Sequence, residues 1–145
     1  MNLPDPEWRE RLVESGFIDN TKDTKEGRLT RFLVAIGGVA ACVNLEEDAE
    51  KIMSRGKMFR GYNARMMRGE PSNCHANSVR LFLNNTKTLE LCTGYAMSRD
   101  GVWRQHSWCF ARKSKIVVET TTRRVLYFGF ILNRDEMEHF AFHNG

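Results

Sequence analysis

The sequence predicts an α+β domain: N-terminal helices, then one further helix and an antiparallel sheet of about four strands. Three observations lead there. The first half of the chain carries apolar residues at helical spacing between recognisable caps and stops. The second half carries four runs rich in β-branched and aromatic residues, separated by short turn-like stretches. The change from one regime to the other falls at Pro71, and no internal repeat or low-complexity segment interrupts either.

The elements follow in order. Asp5 as N-cap, Pro6 at the first helical position and Gly16 as a stop predict a helix over Pro6 to Glu14. A polar loop, Asp19 to Gly27, precedes a second helix through "RLTRFLVAIGGVAACV", which the Gly37-Gly38 pair weakens. "NLEEDAEKIMSRG" gives a third, with Asn44 capping, acids in the first turn and Gly56 ending it. Lys57 to Pro71 reads as a short helix and a loop. Ser72 or Asn73 then caps a helix to about Asn84, with Val79, Phe82 and Leu83 as its apolar stripe. The strand runs are "LELCTGYAMS", "WRQHSWCFA", "KIVVETT" and "RVLYFGFIL". Asn133 and Glu136 have capping-box spacing for a last short helix.

With 145 residues, 41% apolar and 28% charged, the chain fits one soluble domain: residues 1–68 as a helical part, residues 69–145 as a helix plus sheet. Four cysteines without a CxxC pair point to a reducing compartment. The polar, acidic start "MNLPDPEWRERL" is not a signal peptide, and "FLVAIGGVAACV" is too short to span a bilayer. A cytoplasmic protein is expected, without a membrane partner; delivery by a machine that uses no cleaved signal would look the same. Oligomeric state is not specified. Lys51 to Arg68 holds six basic residues and no acidic one, interleaved with Phe59 and Tyr62. Such a run suits nucleic acid or an acidic protein partner, or it is simply a solvated helix face and loop.

The stretch "GEPSNCHANSVRLFLNN" places Cys74 in the first turn of a helix, where the positive end of the macrodipole favours thiolate over thiol. A cysteine there is also commonly an inert small hydrophobe. A base and an orienting carboxylate raise the chemical reading. If "ARKS" is the turn of a hairpin centred between Arg112 and Lys113, His106 lies directly opposite Glu119, with Cβ atoms about 4.5–5.5 Å apart. Glu119 can then fix one imidazole nitrogen and leave the other for the thiol. The alternatives are a core histidine and a chance strand-end acid. His75 points about 100° around the helix from Cys74 and reads as surface; His139 and His143 read as incidental.

Cys74, "TGYA", "HSW" and "VETT" resemble, in order and flanks, the transglutaminase-like branch of the papain-like cysteine enzymes. The resemblance covers about Ser72 to Thr121. It implies a papain/transglutaminase-like core and a Cys74-His106-Glu119 triad. It also implies a thioester formed at an amide carbonyl of a protein or peptide substrate, then hydrolysis, deamidation or transfer to an amine, with no cofactor. Two departures stand out: the acid is Glu119 where aspartate is commoner, and Arg68 occupies the position of the upstream glutamine of papain-like proteases. The Cys74 N–H is the default oxyanion donor, with Asn73 and Gln105 as candidates for a second and Trp108 as a substrate neighbour. A zinc site from Cys74, Cys92, His106 and Cys109 is the rival chemistry. His106 and Cys109, three apart on a strand, face opposite ways, and no metal is expected. The rival from another class is a non-catalytic binding module using Lys51 to Arg68.

Overall fold

The computed structural model describes residues 23–144, so the helix expected over Pro6 to Glu14 lies outside the described residues. Helix α1 (Lys25–Ile36) begins at Thr24, whose side chain accepts the Gly27 N–H at 3.0 Å. It ends earlier than expected. Gly38 adopts φ +73°, a left-handed conformation that glycine takes without strain, and the Gly37 carbonyl accepts from Trp103 Nε1 at 2.9 Å. The glycine pair therefore ends the helix, and Ala40–Cys42 becomes strand β1.

Helix α2 (Ala49–Arg55) is also shorter than expected, and Asn44 does not cap it. Asp48 holds the N-cap position without a side-chain bond; Glu46 Oε2 instead accepts the Asp48 N–H at 3.1 Å. After Gly56 the expected short helix and loop are replaced by strands β2 (Lys57–Arg60) and β3 (Arg65–Met66). In β2 only Phe59 is buried, and this single anchor had no periodic partner to announce a strand. The first part of the chain is thus not purely helical.

Helix α3 (Cys74–Leu83) starts as expected, at Asn73, and stops one residue early. Val79 and Phe82 are buried, but Leu83 is exposed and leaves the apolar stripe. Strands β4 (Leu89–Met97), β5 (Val102–Ala111), β6 (Ile116–Glu119) and β7 (Leu126–Ile131) match the four expected runs, and α4 (Arg134–Asn144) closes the description.

The fold class is α+β, but among the described residues the sheet has seven strands rather than about four, because β1, β2 and β3 add to its edges. The order is β2-β7-β4-β5-β6-β3, with β1 beside β5; only β1–β5 and β3–β6 are parallel. One face carries the larger core, including Leu33, Val79, Phe82, Leu91, Trp103 and Phe128. The other carries Phe59, Cys92, Ala96, Trp108, Val117 and Tyr127. Phe59 meets Trp108 and Phe110 edge-on at 5.7 and 5.1 Å, which draws β2 toward β5 and curls the sheet around that second face. At Gly129 a Cβ would lie 2.2 Å from Thr93 O and 2.7 Å from the Trp108 ring, so only glycine admits the indole there.

One edge of β5 positions the site. β4 pairs along its other edge through residues 103–111. On the near edge, β1 pairs with Val102 to Arg104 and β6 with Cys109 to Ala111. Residues 105–108 are left between them without a strand neighbour on that side among the described residues. No helix among the described residues is long and apolar enough to cross a membrane.

Candidate functional site

Glu119 ends β6 as a carboxylate with no solvent exposure. A buried charge is costly unless it is fully paired, and here four donors meet it. Oε1 accepts from His106 Nε2 and from the Tyr127 hydroxyl, both at 2.7 Å. Oε2 accepts from the Thr121 N–H at 2.9 Å and the Thr121 hydroxyl at 3.0 Å. Burial pushes the Glu119 carboxyl up, but His106, Thr121 and Tyr127 together hold it below the usual carboxylate range. An ionised carboxylate has only acceptors, so His106 Nε2 carries the hydrogen and Nδ1 is left available.

The expected hairpin geometry is corrected by one residue at the turn. The loop is Arg112 to Lys115, closed by the Lys115 N–H on Ala111 O at 2.8 Å with Lys115 at φ +60°. Arg112 is drawn back to β4, where its Nε donates to Glu90 at 2.6 Å and its Nη1 to Lys87 O at 2.6 Å. The register is Cys109↔Val118, Phe110↔Val117 and Ala111↔Ile116. Continued by one pair, it sets Glu119 opposite Trp108, not His106. The shift is two residues, so the face is preserved and His106 and Glu119 become diagonal neighbours, about 7–8 Å apart at the backbone. The extra methylene of glutamate spans that diagonal.

Cys74 is half-buried at the start of α3, and His106 is the group that most lowers its pKa. His75, expected at the surface, is in contact with it: its Nδ1 lies 3.9 Å from Cys74 Sγ and 2.6 Å from the Ser107 hydroxyl. Ser107 continues to Thr93 at 3.0 Å. Burial pushes the Cys74 thiol up, yet His106 and then His75 outweigh it and bring the pKa down to about 5. Burial alone would depress His106, but Cys74 and Glu119 raise it above the usual imidazole value. Thiolate and imidazolium stabilise each other. The other thiols differ: burial raises Cys42 and, much further, Cys92, and pushes Cys109 up to about 12.

The remaining candidates divide. Asn73 is exposed and makes no capping bond, which leaves the N–H groups of the first turn of α3 without a side-chain acceptor from it. The lead-in is pinned by Asn77 instead: Oδ1 accepts the Glu70 N–H at 3.0 Å and Nδ2 donates to Glu70 O at 2.7 Å. Gln105 is turned toward Glu46, whose Oε1 accepts from its Nε2 at 3.1 Å and from the Tyr95 hydroxyl at 2.7 Å. Trp108 is not a substrate neighbour; it is fully buried and stacks on His106, with ring centroids 6.1 Å apart and planes 18° off parallel. Cys109 turns to the opposite face and bonds Ser78 O at 3.4 Å. Among the described residues no group of three or more histidine, cysteine or acidic side chains is placed to hold a metal ion.

Sequence reasoning missed Tyr127, Thr121, His75 and Ser107. Only Thr121 left a trace, as the small polar residue after "VET". Compared with protein-family models, curated proteins and solved structures, the chain matches none of them.

Proposed function

We propose that this protein is a cysteine-dependent hydrolase or acyltransferase acting on an amide bond of a protein or peptide, with Cys74 as nucleophile, His106 as acid and base, and Glu119 as orienter. The observation that carries this reading is the buried Glu119 carboxylate, 2.7 Å from His106 Nε2, behind a helix-start thiol whose pKa is about 5. The same order of thiol helix, histidine strand and acid one hairpin later underlies the resemblance to the transglutaminase-like enzymes.

In this mechanism the Cys74 thiolate attacks the amide carbonyl, a C–S bond forms and the carbonyl electron pair moves to oxygen. The unpaired N–H groups at the start of α3, Cys74 first, face that negative charge. His106 gives its Nδ1 proton to the departing amine as the C–N bond breaks, leaving a thioester. Water or a second amine, deprotonated by His106, then attacks the thioester and releases Cys74. Glu119 stays ionised throughout and holds the ring in one tautomer. The favoured outcome is hydrolysis or deamidation of an exposed peptide or side chain, with transfer to an amine as the alternative. No cofactor enters the mechanism, and the proposed compartment is the cytoplasm.

The test is intact mass spectrometry of peptides and proteins incubated with the enzyme and with Cys74→Ala. A gain of about 1 Da marks deamidation, fragments mark proteolysis, and a loss of about 17 Da or an amine adduct marks transfer. In parallel, iodoacetamide should label Cys74 ahead of Cys42, Cys92 and Cys109. Uniform labelling of all four in the folded protein leaves the binding-module reading in its place.

A further inference from the structure

Near Glu119, the 122–125 stretch and the Tyr62 turn line a half-open pocket of about 570 Å³. Four arginines line it, Arg68, Arg99, Arg123 and Arg124, with Tyr62 and Ser98, and no carboxylate among the described residues does. Two of the four are built into the scaffold. Arg123 Nη1 donates to Gly61 O at 3.2 Å and Tyr62 O at 3.1 Å, tying the turn to the loop. Arg124 donates to the Ser98 hydroxyl and the Thr121 hydroxyl, each at 3.2 Å, while its buried Nε finds no hydrogen-bond partner. Its nearest carboxylate oxygen, Glu119 Oε1 at 4.0 Å, already serves His106 and Tyr127.

The other two are free. Arg68 and Arg99 are exposed and make no hydrogen bond or ion pair with a described residue. Tyr62 is 76% exposed even though its carbonyl is fixed by Arg123. Glu119 reaches only Arg124, so the guanidinium groups of Arg68, Arg99 and Arg123 gather without a described acid beside them; they repel one another, and a dense anion relieves that repulsion. Planar five-donor forks match phosphate oxygens in pairs. A single carboxylate supplies one charge, whereas a diphosphate brings two or more within a few ångströms. The volume lies in the range of small-molecule sites, roughly 300–1,000 Å³. An exposed ring at the rim offers a stacking platform.

We propose that this pocket is a nucleotide-type site, taking a flat ring on Tyr62 and at least two linked phosphates on Arg68, Arg99 and the fixed pair Arg123 and Arg124. It stands on different residues from the thiol chemistry and holds whether or not Cys74 is a nucleophile.

The experiment is calorimetric titration of the full chain at physiological salt with ADP, AMP, pyrophosphate, an oligo-glutamate peptide and a single-stranded oligonucleotide. ADP should bind about tenfold or more tighter than AMP, and pyrophosphate between them. Arg68→Ala and Arg99→Ala should each weaken ADP and pyrophosphate by about tenfold without lowering the melting temperature, since neither side chain has a partner to lose. Tyr62→Ala should bring ADP down to the affinity of pyrophosphate and leave pyrophosphate unchanged. Absence of ADP binding at millimolar concentration, unchanged ADP binding in Arg68→Ala and Arg99→Ala, or tighter binding of the acidic peptide or the oligonucleotide overturns the proposal. Iodoacetamide labelling of Cys74 in the same samples reports separately on the thiol.

Discussion

At Glu119 the length of a side chain decides whether a contact exists. The carboxylate crosses a diagonal between β6 and β5 to reach His106, so Glu119→Asp keeps the charge and withdraws the oxygen by about one carbon–carbon bond. It should lower the rate of Cys74 alkylation at mildly acidic pH about tenfold or more, with circular dichroism unchanged. The wild-type profile has a definite sign. A thiol brought down to about 5 is mostly thiolate above that pH, so labelling should be near its maximum at pH 7 and fall with a midpoint near 5. His106→Ala should move that midpoint upward, read by mass spectrometry of quenched time points. Tyr127→Phe deletes one of four donors to a buried carboxylate and should cost about 1.5–3 kcal/mol of stability in urea unfolding. Glu119 also sets an acid limb. Its folded pKa is depressed, so its contribution is present above the unfolded value of about 4.3 and is lost as pH falls through the folded value.

Helix α4 shows which local signals survive folding. Its capping box forms as the spacing of Asn133 and Glu136 required, with both reciprocal bonds at 2.9 Å. The same Glu136 is claimed from outside the helix by Arg55, at 2.6 and 2.9 Å, and by Lys51, at 2.9 Å. No residue of α4 is buried, so this clasp and the packing of Met137, Phe140 and Ala141 hold it to the body. Arg55 above all lowers Glu136 to about 2. The stability it lends is therefore full above about 4.3 and disappears as pH falls toward 2. Amide spectra of residues 134–144 should broaden or shift over that window in the wild type, and over no such window in Glu136→Gln. Elements whose signals were local, α3, α4 and β4 to β7, were legible. Strands β1 to β3 were not: three, four and two residues long, they exist because β5, β7 and β6 offer edges, and nothing within "AAC", "KMFR" or "RM" announces that. The basic run likewise dispersed. Lys51 and Arg55 went to Glu136, Phe59 went inside, and Arg68 joined arginines from two other loops.

Across the whole molecule the curl of the sheet seats Trp108 against His106, and the space for it comes from Gly129. Gly129→Ala should destabilise by about 1–3 kcal/mol through overpacking and also slow Cys74 labelling, because the displaced indole no longer supports the imidazole. Equilibrium unfolding and labelling kinetics on one sample check both. The pairing of His106 with Glu119 was readable because one hairpin links them and the two-residue slip kept their face. Tyr127 was not, because it arrives from β7, separated from β6 in the sheet by β4 and β5. Cys74, His106 and Glu119 thus come from α3, β5 and β6, and the strongest influence lowering the thiol pKa belongs to His106, on a strand that begins at Val102, well after the helix ends at Leu83. A ribosome releasing this chain emits Cys74 well before His106 and Glu119. Until β5 and β6 have paired and docked, the sulfur has the acidity of any free cysteine, about 8.5, and stays mostly protonated at neutral pH. The nascent polypeptide carries an ordinary thiol, and only completed assembly makes it acidic.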